Sequence, residues 1–381
     1  MICIRTINLL GEVLKRKVFL FSVILTVFYC LSLKVSGKDV PEQNTEDPHS
    51  EAEKSEQFDP TKFLFEHIED AHEWHVFSYR GKHYAIPLPV ILISRQNGPV
   101  IFFSSKLHHG HQSFFHRGYE YKLELEGEHK GKIAETDKMG HVVYPYDISI
   151  TKNILAMFVS LIIIVWLFIS VAKAYKKNAG KPPRGLQSLL EPVILFVRDE
   201  IAKPSIGHKY EKYMPYLLTV FFFIWFNNMF GLIPIPPGGA NLTGNIAVTG
   251  VLALYTMIVT NFSGNKNYWK HIFNTPGVPV WLKIPPVMPI IELFGVITKP
   301  FVLMIRLFAN ITAGHLITLG FLSLIFVFGE LHAAVGFLVS PLTLLFLLFM
   351  MFLELLVAFI QAFVFTFLSA LYIGMAIEEH H

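Results

Sequence analysis

The spacing of apolar and polar positions divides the chain into two unlike parts. From Ile154 onward, long uncharged apolar runs alternate with short basic or Pro/Gly-rich breaks; before Asp147 the chain is polar and punctuated by turns. Ile154 to Val171 carries no charge and, with its flanks, is long enough to cross a bilayer core, which takes about 20 residues. Met214 to Ser263 is also uncharged and is interrupted by Pro234, Pro236, Pro237, Gly238 and Gly239, a pattern that predicts a hairpin of two spans. Between these regions Val193, Ile194, Val197 and Ile201 recur at near-helical spacing, with Pro192 suited to a first turn and Pro204 to an end. This predicts a short helix lying on the membrane surface. Two further apolar segments, Pro286 to Phe328 and Ala333 to Ile377, flank Gly329, Glu330, Leu331 and His332. A continuous helix of about 40 residues runs about 60 Å, twice the hydrocarbon thickness. Each segment therefore either breaks into two spans or stays whole and tilts strongly, and hydropathy leaves both open.

Ahead of these spans, Lys15, Arg16 and Lys17 precede an apolar run from Val18 to Leu33 and then Ser36 and Gly37. That is the layout of a signal peptide over residues 1–37, cleaved or retained as an anchor. Residues 38–60 are acidic and nearly free of large apolar side chains, as in a disordered linker. Residues 61–148 are rich in aromatics and His. Short alternating stretches such as Tyr84 to Ser94 and Val100 to Ser105 predict a small β-containing extramembrane domain there.

Composition narrows the class. With a mean hydropathy of +0.46, 52% hydrophobic and 16% charged residues, the bilayer is the main solvent of this chain. A formal charge of +3 without a long Lys/Arg run argues against nucleic acid as a partner. Nine Lys/Arg lie between Lys173 and Lys212 against Glu191, Asp199, Glu200 and Glu211. The later loop carries Lys266, Lys270 and Lys283 with no acid, so both loops read as cytoplasmic. The N-terminal domain is then expected in the periplasm, the side an export signal also demands. Cys3 and Cys30 both fall in the signal segment, so cleavage would leave a mature chain without cysteine.

The candidate chemistry lies in the last two segments. Glu292, Lys299, Arg306 and His315 interrupt the first, and Glu354 with Gln361 the second. An Arg at the bilayer centre costs about 2.5 to 3.5 kcal/mol on insertion scales, so such groups face a cavity or a partner. At about 100° per residue, Glu292, Lys299 and Arg306 form one stripe that also takes in Asn310, while His315 points away from Arg306. If the segments fold back as antiparallel helices about a point near residue 334, Arg306 meets Gln361 at one depth and His315 meets Glu354 at another. A His beside a carboxylate suits proton handling, and Arg stays charged throughout. The order Glu292, Arg306, His315 then gives two wet paths separated by a fixed cation, which pass protons only through something mobile.

The run Ile305-Arg306-Leu307-Phe308-Ala309-Asn310-Ile311-Thr312-Ala313-Gly314-His315 resembles the signature of F-type ATP synthase subunit a, and Ile360-Gln361-Ala362-Phe363-Val364-Phe365 resembles its second motif. Pro289 to Glu292, Lys299-Pro300, Asn227 to Pro234 and Ala376 to His380 agree, so the similarity covers most of residues 149–381. It implies an all-α polytopic membrane protein with three perpendicular spans, a surface helix and a long tilted helical hairpin, preceded by the small β-containing periplasmic domain. It also implies that Arg306 faces the carboxylates of a c-subunit ring beside Gln361. His315 and Glu354 would form the periplasmic half-channel and Glu292 the cytoplasmic one. Some members carry the acid and His at these two positions the other way round. The further partners implied are the b-subunit stator stalk and the remainder of the complex, in a bacterial inner membrane with the C-terminus cytoplasmic. The resemblance also implies a non-catalytic subunit with no cofactor.

Blander readings stand beside these. Arg306 would be structural if paired with Glu292; Lys299 is better suited to snorkelling or local pairing than to conduction. Asn310 serves as well for interhelical hydrogen bonding as for a channel. The ten His between His67 and His141 match no metal-site spacing. A self-contained secondary transporter or channel would also place ionisable groups at the midplane. The polar motif shows no two-fold repeat, however, and the His315/Glu354 pair alone makes no protease centre.

Overall fold

A computed structural model describes residues 60–61, 64, 70–79, 82–110, 112–124, 127, 129–178, 181–233, 238–273 and 287–378. Except for Pro60, the predicted signal peptide and linker lie outside the described residues, as do Pro234, Pro236, Pro237 and Lys283. The chain divides into two compact units. Among the described residues, one takes in those of 156–314 and 352–378; the other takes in those of 60–155 and 315–351.

In the second unit, short antiparallel strands build three small sheets. Strand β1 (Glu73–Tyr79) pairs with β2 (Lys82–Pro87). Strand β3 (Pro89–Ser94) lies between β4 (Gly98–Phe103) and β9 (Tyr146–Asp147). The remaining four, β5 (Phe114–His116), β6 (Tyr119–Leu123), β7 (Ile133–Thr136) and β8 (Val142–Val143), pair in sequence order. The alternating stretch at Tyr84–Ser94 is thus two strands rather than one. Pro89 lacks the N–H a continuous ladder needs, and Leu88 is held instead by Ser104, whose Oγ accepts from Leu88 N at 3.0 Å and whose N–H donates to Leu88 O at 2.9 Å. Val90, Leu92, Val100, Phe102, Leu107, Tyr121 and Ile133 form the core. A buried carboxylate, Glu135, accepts hydrogen bonds from Ser94 Oγ (2.9 Å) and Tyr121 Oη (3.1 Å), which satisfies it without a cation.

The end of β9 is stitched to the first span. Ile148 N donates to Ile91 O (2.9 Å), Ile150 N to Pro89 O (3.1 Å) and Lys152 N to Ala71 O (2.9 Å). Asp70 Oδ1 accepts from Asn153 N at 3.1 Å, serving the helix α1 (Lys152–Lys177) as an N-terminal cap from far along the chain. Beside this join His72 Nε2 lies 2.6 Å from Asp147 Oδ2. Burial opposes charge on His72, but the hydrogen bond and charge of Asp147, with Asp70 and Glu73, outweigh it and raise its pKa. Asp147 is lowered: burial again opposes charge, and His72 and Ser149 outweigh it. Because His72 titrates higher folded than unfolded, its stabilisation is complete below about pH 6.5 and fades as pH rises through the raised value. Asp147 contributes above its unfolded pKa and loses this as pH falls through its lowered one. We expect the melting temperature of the β region to drop on the alkaline side by an amount equivalent to about 1 kcal/mol, and His72→Gln to flatten that limb. A pH-independent melt of the native chain would contradict the pairing.

In the first unit the surface helix begins earlier than its sequence suggests. Helix α2 (Leu186–Phe196) starts six residues before Pro192, which sits inside it. Leu186, Leu189, Leu190, Val193 and Ile194 recur at i, i+3, i+4, i+7 and i+8, and this stripe outweighs one lost backbone hydrogen bond. Nor does Pro204 end the run. The turn Val197–Ala202 is a π-helix, closed by Lys203 N donating to Arg198 O, and its wider bore lets the proline ring into α3 (Lys203–Ile206). The stop comes at Gly207, whose φ of 70° is a left-handed conformation suited to glycine.

Spans α4 (Tyr210–Leu232) and α5 (Ile246–Ser263) form the predicted hairpin, followed by a short α6 (Lys266–Phe273). The two long segments remain whole, as α7 (Val287–Leu331) and α8 (Ala333–Ile377), each of 45 residues. Such a helix runs about 67 Å, so of the two alternatives the unbroken segment holds. Among the described residues five helices are long and apolar enough to cross a membrane, the architecture of a polytopic membrane subunit. Phe221, Phe222, Phe223, Leu217, Leu218 and Phe365 are almost fully buried in one apolar core. A hydroxyl cluster ties α4, α5 and α8 together: Tyr216 Oη lies 2.7 Å from Thr256 Oγ1, which lies 3.4 Å from Ser369 Oγ. Asn265 closes the end of α8, donating from N to Ala376 O (2.9 Å) and from Nδ2 to Ile377 O (2.7 Å).

Candidate functional site

The turn between α7 and α8 is tighter than the Gly329–His332 spacer suggests, leaving only His332 outside both helices. Contacts along the hairpin fix its register. A Cβ at Gly336 would come within 2.8 Å of Gly329 Cα, Phe321 stacks on Phe346 with ring centroids 5.6 Å apart, and Glu354 lies over Gly314. These pairs fold about a point near residue 334, the centre inferred from sequence.

Glu354 is 6% exposed and packs directly on the bare backbone of Gly314, where a Cβ would meet Oε1 at 2.9 Å and Cγ at 3.2 Å. Gln361, two turns on, is equally buried. Between them Asn228 of α4 donates from Nδ2 to Ala358 O at 3.4 Å and accepts from Thr243 Oγ1 at 2.5 Å. A buried amide thus links α4 to the stretch of α8 that carries both polar residues. His315 is half-buried and lies within electrostatic reach of Lys152.

Arg306 and Asn310 lie on the exposed side of α7, while Leu303, Leu307 and Ile311 between them are buried. Among the described residues Arg306 forms no ion pair with Glu292 or any other carboxylate. Apolar side chains share its surface, with Phe301, Val302 and Ile305 all exposed. A permanent cation therefore projects from an apolar face.

At the Glu292 end the chain opens a small cleft in which Thr256, Thr260, Asn261, Tyr268, Lys299 and Tyr372 stand among the apolar Met257, Val296, Pro300 and Met375. Lys299 is exposed and its ammonium lies 5.7 Å from the Tyr372 ring centroid, a local partner of the kind expected for it. Tyr372 is also within electrostatic range of Arg306. The Tyr268 pKa is pushed up by burial and then by the charge of Glu292. Thr260 is 7% exposed, and its hydroxyl finds no hydrogen-bond partner among the described residues, which suits a site that takes up water. Sequence reasoning did not identify this lining, although Tyr372 follows Gln361 by eleven residues and so shares its face. No group of three or more His, Cys, Asp or Glu is placed to hold a metal among the described residues.

Known proteins resemble this chain in two blocks. The family described as ATP synthase A chain matches residues 154–374, and one described as a domain of unknown function matches residues 63–153. ATP synthase subunit a of Chloroherpeton thalassium is 41% identical over 243 residues, covering 62% of this chain and 69% of that protein. The Myxococcus xanthus protein of the same name is 44% identical over 243 residues, 62% of this chain and 75% of its own. The Chlorobium phaeobacteroides (strain DSM 266) one is 39% identical over 262 residues, 65% and 73%. With the five spans, the unbroken α7–α8 hairpin and a family match over more than half of its length, the chain belongs to the F-type ATP synthase subunit a family.

Proposed function

We propose that the chain is the proton-translocating stator subunit of a bacterial rotary ATP synthase, with Arg306 facing the carboxylates of a rotating c-subunit ring. The observation that supports this reading is the guanidinium exposed on an apolar helix face, with no ion-pair partner among the described residues. In lipid alone such a charge is costly, and a passing carboxylate relieves that cost. Asn310 shares this face. Gln361 is the neighbour of Arg306, His315 and Glu354 form the periplasmic half-channel, and Glu292 with the cleft at Thr260 and Tyr372 forms the cytoplasmic one. In this orientation residues 61–148 are a periplasmic domain and the C-terminus is cytoplasmic. The b-subunit stalk holds the subunit against the turning ring.

A ring carboxylate crosses lipid only when protonated. On approaching Arg306 it ionises, releasing its proton to one path, passes the guanidinium, and is reprotonated from the other. Each charge crossing gains about 2.3 kcal/mol per 100 mV, so several crossings drive one ATP. The ion is a proton, because His315 and Glu354 are both titratable groups of the kind that relay protons. Inverted vesicles carrying the purified complex are expected to acidify on addition of ATP, without Na⁺ and with collapse by a protonophore. Acidification that requires Na⁺ would refute the choice of ion. A chain that purifies without a ring-forming proteolipid and still carries ions would favour the transporter reading.

A further inference from the structure

The β3–β4 hairpin is apolar on both faces. Val90, Leu92, Val100 and Phe102 point into the core and are at most 4% exposed. The opposite face pairs Pro89 with Phe103, Ile91 with Ile101 and Ile93 with Pro99, and Ile93 also pairs with Tyr146 of β9. On it Ile93 is 42%, Ile101 70% and Phe103 58% exposed. A strand with one wet face alternates apolar with polar, whereas one covered on both faces does not. β4 is moreover an edge strand, and a bare apolar edge invites aggregation unless something lies over it.

Chain connectivity indicates what covers it. Ile150 N is bonded to Pro89 O, Pro89 faces Phe103, and α1 begins at Lys152. Two residues of extended chain reach about 7 Å, roughly the depth of one headgroup layer. With α1 entering the bilayer at its first turn, Phe103 would lie level with the membrane surface, and Ile101 is one cross-strand pair further along. From Leu88 to Tyr119 the sequence has no Asp or Glu, while Arg95, Lys106 and Arg117 are basic, which suits anionic headgroups. Aromatic side chains are favoured at this depth. We propose that the outer face of the β3–β4 hairpin docks on the lipid bilayer surface, inserting Phe103 and Ile101 at the headgroup–acyl boundary beside the entry of α1.

The test places a nitroxide on Ile101→Cys or Phe103→Cys, with Met139→Cys as a control at a position that is 82% exposed. Cys3 and Cys30 are replaced by Ser, and the assembled complex is reconstituted in phosphatidylcholine/phosphatidylglycerol vesicles. Accessibility to molecular oxygen, which concentrates in lipid, is compared with accessibility to a water-soluble nickel chelate. The expected result is an oxygen-to-nickel ratio several-fold higher at Ile101 and Phe103 than at Met139. High nickel access at all three sites would overturn the proposal by showing a bare aqueous face. Low access to both reagents at Ile101 and Phe103 would overturn it by placing a protein there.

Discussion

Arg306→Ala is expected to abolish ATP-driven proton uptake into inverted vesicles while the complex stays assembled. No carboxylate among the described residues loses a partner with the guanidinium, and the side chain is exposed. Its removal therefore opens no core cavity and strands no buried charge, the usual routes to misfolding. On the proposed reading, what is lost is a fixed cation at the point where a ring carboxylate has to be ionised. An ionised side chain in the bilayer costs about 2.5 to 3.5 kcal/mol on insertion scales, so ionisation there becomes roughly 100-fold rarer at about 1.4 kcal/mol per tenfold. Pumping should fall to the level of protonophore-treated vesicles. Arg306→Lys tests the same point more narrowly. It retains a cation, but one whose pKa shifts readily when desolvated, so it too should pump poorly. Unchanged pumping by Arg306→Ala in an assembled complex would make the residue structural and return the transporter reading to first place.

The sequence made the hairpin legible for a physical reason. Ionisable and amide side chains are so rare in apolar runs that Arg306, His315, Glu354 and Gln361 act as fixed marks, and antiparallel folding leaves one register that matches their depths. The stacking of Phe321 on Phe346 and the seat of Glu354 on Gly314 agree with it. Continuity of α7 and α8 was not legible, because hydropathy measures apolar length and is blind to tilt. The helix predicted at the membrane surface differs at both ends for one reason: local proline rules favour Pro192 and Pro204 as its bounds, whereas the apolar stripe from Leu186 to Val197 and the π-turn override them. The amide bridge from Asn228 to Ala358 joins positions far apart in sequence and has no local signature. Among the β strands, turn residues such as Asn97-Gly98 announced hairpins, but the pairing of β9 with β3 depends on chain closure through the whole region.

Gly314→Ala should impair proton pumping through a single methyl group. In a helix interior this exchange ordinarily gains about 1 kcal/mol in propensity. That is the expectation for Gly295→Ala and Gly320→Ala in the same helix, where an added Cβ meets nothing within 4 Å. At Gly314 the new carbon lies 2.9 Å from Glu354 Oε1, 3.2 Å from Cγ and 3.3 Å from Cδ, closer than packed atoms tolerate. The carboxylate is the far end of a flexible side chain, so it yields before the backbone does, at a cost of about 1 to 3 kcal/mol for overpacking. The predicted outcome is an assembled complex whose pumping is reduced about tenfold, while the other two glycine variants pump normally. The double variant Gly314→Ala/Glu354→Asp separates carboxylate displacement from a backbone effect. Aspartate withdraws the carboxylate by one methylene, so if the clash is the cause, the pair should pump better than Gly314→Ala alone despite the shorter reach. If it pumps no better, the methyl acts through the spacing of α7 and α8, and the role given to Glu354 as a proton-path group must be tested by Glu354→Gln instead.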